Sequence, residues 1–192
     1  MLLRHPVLRA AAVSGCTMAA GDVLCQAIRA RRAGRDIRID WRQTARFGTV
    51  GLTLHGPFFF HGFRWLDTRF GASVNLRMAV VKACAGNFTI FPLYLGSFFL
   101  YMGLLEGLRP GQAVQKLRQA FVPTYTAGWG FWLPANLINF VFVPPTGRVL
   151  FANAAGLIWN AILSLENSTK GRVVVQPAAG RDAQRGGSGA KR

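Results

Sequence analysis

Charged residues are missing from two long stretches of this chain. No Asp, Glu, Lys or Arg occurs in the 29 positions between Arg118 and Arg148, or in the 23 positions from Ala83 to Leu105. A helix rises about 1.5 Å per residue, so about 20 apolar residues cross the ~30 Å hydrocarbon core of a bilayer. Two uncharged runs of this length are uncommon in a soluble protein of 192 residues. The sequence therefore predicts an integral membrane protein.

Acidic residues are also scarce, with 7 Asp and Glu against 23 Lys and Arg. The chain shows no paired carboxylates, no Gly-rich phosphate loop and no Ser–His–Asp spacing, so acid–base and metal catalysis lack suitable side chains. His55 and His61 lie six positions apart, whereas metal ligands on one helix usually recur at three or four. We therefore expect no enzymatic activity, no cofactor and no metal site.

Cysteine is limited to Cys16, Cys25 and Cys84. Their number is odd and none forms a CxxC pair, which favours free thiols over a disulfide framework or a zinc site. No short apolar segment ends in a small-residue cleavage site, so we expect no cleaved secretory signal.

Five stretches have the composition and length of membrane helices, and they predict an all-α integral membrane bundle. They run approximately over Pro6–Ile28, Ala45–Leu66, Met78–Leu105, Phe121–Val143 and Val149–Leu165. The first stretch is rich in Ala and Gly and contains an acid, so four and five spans both remain open. Residues 1–168 are predicted to form this membrane helical domain, followed by a basic, disordered tail over residues 169–192.

Prolines divide the predicted helices. Pro92 and Pro134 lie inside apolar stretches, where each removes a backbone hydrogen bond and tends to kink the helix. The run from Val143 to Gly147 contains two consecutive prolines followed by Thr and Gly, which predicts a turn. Between the third and fourth stretches, Gly111 to Phe121 has one apolar face and one basic face. This pattern predicts a short amphipathic helix in the headgroup layer.

Basic residues are concentrated outside the predicted spans. Seven lie in Arg29 to Arg46 and six in Lys170 to Arg192. If all five stretches cross the membrane, one side receives 16 basic residues and the other five. The positive-inside rule therefore favours the first loop and the tail on one face. Three partners remain open for this face: anionic lipid, RNA or a ribosome, and a larger protein assembly.

Asp22 and Lys82 are ionisable residues within or at the edge of apolar stretches. Placing such a group in hydrocarbon costs about 3 kcal/mol on insertion scales, so it usually faces the interior of the bundle. Pairing the two would relieve both costs. The alternative is that Asp22 lies near a helix end and is simply solvated.

Amide side chains recur on the predicted helix faces, at Gln26, Asn136, Asn139, Asn153 and Asn160. In one interpretation they form hydrogen bonds between neighbouring helices, each contributing about 0.6 to 2 kcal/mol. In the other they line a narrow hydrated path. The first interpretation is favoured, because membrane bundles commonly use Asn and Gln in this way.

The segment from Trp129 to Arg148, together with blocks before and after it, resembles the Mpv-seventeen / 22-kDa peroxisomal membrane protein family. The family pattern reads, in outline, W-x-x-W-P-x-x-Q-x-x-N-F-x-x-V-P-x-x-x-R, followed by N and W-N-x-x-L-S. The matching residues in chain order are Gly21, Gly56, Pro57, Asp67, Trp129, Trp132, Pro134, Phe140, Pro144, Arg148 and Trp159. Within the family, the branch called Mpv-seventeen-like two is the most similar.

The chain departs from the family pattern at several polar positions. The family's Lys-x-x-x-Asp-Gln is replaced by Lys82 followed by Gly86 and Asn87, so an intramembrane acid is missing. Pro134 falls one position late, and Asn136 stands where Gln is usual. If these groups line a path or bind a partner in relatives, that chemistry is changed here.

The resemblance implies an organellar membrane protein without enzyme chemistry, in the mitochondrial inner membrane or alternatively the peroxisomal membrane. Two hypotheses follow for its function. The first is a pore or channel for small solutes, with Asp22, Gln26, Lys82, Asn136 and Asn139 near the path. The second is a non-catalytic structural or assembly factor that docks on a mitochondrial ribosome or another complex through its basic face. Either allows a homo-oligomer.

Overall fold

The computed structural model describes residues 5–71 and 75–169, with side chains described up to residue 159. The described residues form helices joined by short connections, which confirms the all-α fold class. The helices are α1 (Pro6–Arg32), α2 (Trp41–Val50), α3 (Gly56–Phe70), α4 (Leu76–Phe88), α5 (Ile90–Leu105), α6 (Pro110–Phe142) and α7 (Arg148–Thr169). The predicted tail, from residue 170 onward, lies outside the described residues.

Helix α1 contains the first predicted stretch and extends one turn beyond it. It begins with Pro6 in its first turn, where the missing N–H needs no helical partner. Arg29, Arg31 and Arg32 lie in its last turn, where cations interact favourably with the helix dipole. These basic residues favour the extension of the helix past Ile28, where the apolar sequence ends.

Helices α2 and α3 form one continuous helical stretch, because a π-helical turn, Gly51–His55, joins them. The stretch begins at Asp40, whose side chain accepts hydrogen bonds from the backbone N–H of Arg42 at 3.0 Å and of Gln43 at 3.1 Å. This N-cap places the start of the helix before the predicted position at Ala45. A π turn inserts one extra residue and so rotates the side chains that follow it.

Helices α4 and α5 correspond to the third predicted stretch and are separated only by Thr89, whose φ is −115°. Pro92 has no N–H to bond the carbonyl of Phe88, four residues earlier. The interruption therefore coincides with the hydrogen bond that Pro92 removes. The predicted effect of this proline is confirmed.

Helix α6 contains both the fourth predicted stretch and the segment from Gly111 to Phe121 that was expected to form a separate interfacial helix. The prediction of a separate helix is wrong. The side chain of Gln112 accepts a hydrogen bond from the Arg109 backbone N–H at 2.9 Å, so the helix starts at this cap. It then continues through Pro123 and Pro134 as a single helix.

The predicted turn between α6 and α7 is confirmed. Val143 and Pro144 have extended backbone conformations, and Pro145–Gly147 form a short 3₁₀ turn before α7 begins at Arg148. Two consecutive prolines cannot supply the N–H groups that a continuing helix needs.

Successive long stretches run antiparallel to one another. Contacts that show this are Gln26 with Thr44 (3.2 Å), Lys82 with Asp67 (2.8 Å) and Asn139 with the Arg148 carbonyl (3.4 Å). The end of α1, the start of α2, the end of α5 and the start of α6 therefore lie at one end of the bundle. This end carries the basic residues of Arg29 to Arg46 together with Arg109, Lys116 and Arg118, and we call it the basic end.

The outside of the bundle is apolar, as helices in contact with lipid require. Large apolar side chains such as Phe88, Leu93, Phe142 and Leu150 are more than half exposed. Within the described residues, two helical stretches are long and apolar enough to cross a membrane, namely Pro6–Arg32 and Leu76–Leu105. The second has a mean hydropathy of 1.7 over its most apolar window.

Helix α1 crosses the α2–α3 stretch at very short range, and glycine makes this approach possible. A Cβ atom added at Gly51 would lie 2.5 Å from the Ser14 carbonyl oxygen, and one added at Gly56 would lie 2.5 Å from the Ala11 Cα. Small residues at such crossings let two helix backbones touch. The family residue Gly56 therefore has a packing role in this structure.

We expect Gly56→Ala to lower the free energy of unfolding by about 1–3 kcal/mol, because the added methyl group meets backbone atoms that cannot move aside. Thermal unfolding of the detergent-solubilised protein measures this. Gly96→Ala is the matched control, since a Cβ there meets nothing within 4 Å. Equal melting temperatures for Gly56→Ala and the wild type would contradict the close crossing.

Candidate functional site

A cavity of about 300 Å³ lies at the centre of the bundle, and all seven helices contribute to its wall. Aromatic side chains dominate the wall, and they include Phe59, Phe91, Tyr94, Phe98, Trp132 and Trp159. Packed protein interiors contain few voids larger than a water molecule. A cavity of this size is therefore the strongest candidate for a functional site.

His55, the last residue of the π turn, contributes a polar group to the wall. Its Nδ1 lies 2.7 Å from the Tyr94 hydroxyl oxygen, and its Nε2 is buried without a hydrogen-bond partner. The sequence analysis weighed His55 only as a metal ligand and missed this pair. His55 lies between Gly51 and the Gly56–Pro57 pair. These residues are unusual within a helical segment and could have indicated an irregular turn at His55.

Two predicted asparagines also line the cavity. The Asn153 Nδ2 donates a hydrogen bond to the Ser14 hydroxyl at 2.9 Å, while its Oδ1 is buried without a partner. Asn136 is half-buried and forms no hydrogen bond to another described residue. His55, Asn136 and Asn153 therefore bring unused hydrogen-bonding capacity to the cavity wall.

No Asp, Glu, Lys or Arg lines the cavity among the described residues. Asp22 and Lys82, which were expected near a path, do not line the cavity and instead form contacts between helices. Gly86, which stands where the resembling family has an acid, does line the cavity. Its lack of a side chain leaves that part of the wall uncharged.

Lys82 is fully buried and bonds Asp67, with its Nζ 2.8 Å from the Asp67 Oδ1. The second Asp67 oxygen accepts a hydrogen bond from Nη1 of Arg148, which is also fully buried. Both cations lie over the Phe140 ring, at 5.7 Å for Lys82 and 5.0 Å for Arg148. We call Asp67, Lys82 and Arg148 the buried ion cluster.

The buried ion cluster corrects the predicted pairing of Lys82 with Asp22. It ties α3, α4 and α7 together at the end of the bundle opposite the basic end. Two of its members, Asp67 and Arg148, were identified only as residues of the family pattern. The chain has only seven acidic residues, so the presence of an acid and a base in the family pattern could have indicated that Asp67 and Arg148 form a pair.

Asp22 has different partners. Its carboxylate accepts hydrogen bonds from the Thr44 hydroxyl at 2.6 Å, from the Gln26 amide at 2.6 Å and from the Gln43 amide. Asp22 is only 5% exposed, so the alternative of a solvated residue near a helix end is also wrong. The bonds from Thr44 and Gln43 join α1 to the start of α2. The Gln26 amide also donates to the Thr44 hydroxyl at 3.2 Å, which is the helix-joining role proposed for Gln26.

The remaining predicted amides differ in role. Asn139 is fully buried, donates to the Arg148 carbonyl and does not line the cavity. It therefore joins α6 to α7, although it shares a helix face with Asn136. The side chain of Asn160 lies outside the described residues.

The aromatic residues of the family pattern surround the cavity or pack near it. Trp132 and Trp159 line it. Trp129 packs on Phe88 with ring centroids 4.7 Å apart. The Tyr125 hydroxyl donates to the Asn87 carbonyl at 3.1 Å, which joins α6 to α4.

Cys16, Cys25 and Cys84 are free thiols, as the sequence predicted. Across residues 5–71 and 75–159, no three His, Cys, Asp or Glu side chains form a group that could hold a metal ion.

Residues 103–164 match the Mpv17 / PMP22 family. PXMP2/4 family protein 4 of Dictyostelium discoideum is 30% identical over 168 residues, which cover 88% of this chain and 90% of the relative. Peroxisomal membrane protein 2 of Bos taurus is 30% identical over 171 residues, covering 85% and 84%. Protein sym1 of Aspergillus oryzae is 30% identical over 167 residues, covering 87% and 94%. No solved structure matches the chain.

We expect Asp67→Asn to destabilise the protein by about 3–5 kcal/mol, because it leaves two buried cations without a counter-charge. Adding Lys82→Met to that variant should recover part of the loss, since only one cation then remains unpaired. Unfolding of the solubilised protein by heat or denaturant measures both changes.

The control for Asp67→Asn is Glu106→Gln, which breaks the more exposed Lys116–Glu106 pair at the basic end. That change should cost less than about 1 kcal/mol. Similar losses of stability for Glu106→Gln and Asp67→Asn would show that the buried ion cluster stabilises the protein no more than a partly exposed ion pair does.

Proposed function

Because the chain belongs to the Mpv17 / PMP22 family, we propose that it is a multi-pass organellar membrane protein whose central cavity forms part of a passage for small solutes. The proposed location is the mitochondrial inner membrane, with the peroxisomal membrane as the alternative. The bovine relative is named for the peroxisomal membrane, and none of the relatives above is named for an enzymatic reaction.

The observation that carries this proposal is the cavity itself. Its volume of about 300 Å³ far exceeds the voids that packed protein interiors normally contain. One water molecule takes about 30 Å³ in the liquid. The cavity therefore has room for several waters or one small organic molecule, and its polar side chains can bind either.

The arrangement of helices supports five crossings. The long stretches α1, α2–α3, α4–α5, α6 and α7 run antiparallel in succession, so each extends from one end of the bundle to the other. We propose that the basic end faces the mitochondrial matrix and contacts anionic lipids, each basic residue near the surface contributing about 1 kcal/mol. No observation in the described residues favours docking on RNA, a ribosome or another assembly over this lipid contact.

We expect Gly156→Leu to reduce solute flux at least fivefold in reconstituted vesicles, because the new side chain fills the cavity. Gly156 lines the cavity, and a Cβ there meets only the Trp132 ring, at 3.9 Å, so the leucine can enter without a backbone clash. Stopped-flow light scattering after an osmotic step with a small neutral solute measures the flux.

The control for Gly156→Leu is Gly130→Leu, an equal change at an exposed position of α6 that does not line the cavity. It should leave the flux unchanged. If the wild-type protein passes no solute faster than empty vesicles, or if Gly156→Leu passes solute as fast as the wild type, the cavity is not a passage.

A further inference from the structure

We infer that the cavity selects uncharged, hydroxyl-bearing solutes of the size of a short polyol and excludes anions. The inference rests on the proposed function, because it concerns the solute that enters the same cavity.

The exclusion of anions follows from where the charges of this bundle lie. Lys82 and Arg148 are bonded to Asp67, and neither lines the cavity among the described residues. An anion entering the cavity would lose its hydration shell, meet no cation in return and face the negative faces of the aromatic rings.

The preference for a hydroxyl group follows from His55, Asn136 and Asn153 in the wall. The Asn153 Oδ1 can only accept a hydrogen bond. The His55 Nε2 carries a proton when the Tyr94 hydroxyl donates to Nδ1, and accepts one when Nδ1 donates to Tyr94. The Asn136 amide offers both a donor and an acceptor. A hydroxyl group both donates and accepts, so it satisfies each of these partners.

The aromatic part of the wall suits the rest of such a molecule. Polyols present C–H groups between their hydroxyls, and the rings of Phe59, Phe91 and Trp132 offer apolar surface for these groups. A wall that is mainly aromatic with a few polar groups therefore matches a small polyol better than a fully apolar molecule, which would leave the polar groups unpaired.

Gly86 provides a direct way to change the selectivity. It lines the cavity, and a Cβ added there makes only ordinary contact with Leu66, at 3.4 Å. A carboxylate can therefore be introduced into the wall by Gly86→Asp. Gly86→Asn introduces a side chain of the same shape without the charge and serves as the matched control.

The test uses the full-length protein reconstituted in phosphatidylcholine vesicles. Three solutes of similar size are compared: erythritol, its carboxylate analogue erythronate, and choline. We expect erythritol to enter at least tenfold faster than erythronate, after subtraction of the rate in empty vesicles. We also expect Gly86→Asp to raise choline flux at least fivefold relative to Gly86→Asn.

The outcomes separate this inference from the proposed function. Equal rates for erythritol and erythronate overturn the selectivity and leave the passage standing. Unchanged choline flux in Gly86→Asp, with erythritol flux retained, shows that the cavity wall does not set selectivity. Absence of any flux above empty vesicles overturns the passage and the inference with it.

Discussion

Asp67 accepts hydrogen bonds from two fully buried cations, Lys82 and Arg148, and the arrangement of the bundle follows from this contact. A buried charge without a partner is strongly destabilising, so the three helices that carry these residues must meet at one place. Asp67 and Arg148 are 81 positions apart, and their bond closes the bundle at the end opposite the basic end. It also holds both cations away from the central cavity, which stays uncharged over its described wall.

The bundle is tightly packed on one side and open at its centre. Glycines at positions 51 and 56 let α1 touch the α2–α3 stretch, and the π turn between those glycines directs His55 toward Tyr94. Close backbone contact on this side leaves the aromatic side chains of α5 and α6 to surround the remaining space. The charges are segregated in a similar way, with the basic residues and the partly exposed Lys116–Glu106 pair at the basic end and the buried ion cluster at the other. This segregation suits a protein whose middle lies in hydrocarbon, where only paired charges are stable.

The sequence predicted the helices better than their contacts. The five stretches, the break associated with Pro92 and the turn after Val143 all follow from local rules about apolar runs and proline. The prediction of a separate interfacial helix was wrong. The amphipathic pattern is local, so it does not show whether the helix that starts at the Arg109 cap ends near Phe121 or continues beyond it. Among the predicted path residues, Asn136 lines the cavity, whereas Asp22, Gln26, Lys82 and Asn139 join helices elsewhere.

By itself the sequence determined that the chain is helical, apolar over membrane-length runs and basic between them, because these properties depend on neighbouring residues. Only the tertiary structure decided which polar groups meet. Lys82 pairs with Asp67 rather than Asp22, and Asn153 bonds Ser14 across 139 positions, because helix packing sets these distances and periodicity does not. The place of His55 in the wall depends on a π turn that shifts the helical register, which a regular period of 3.6 residues does not anticipate.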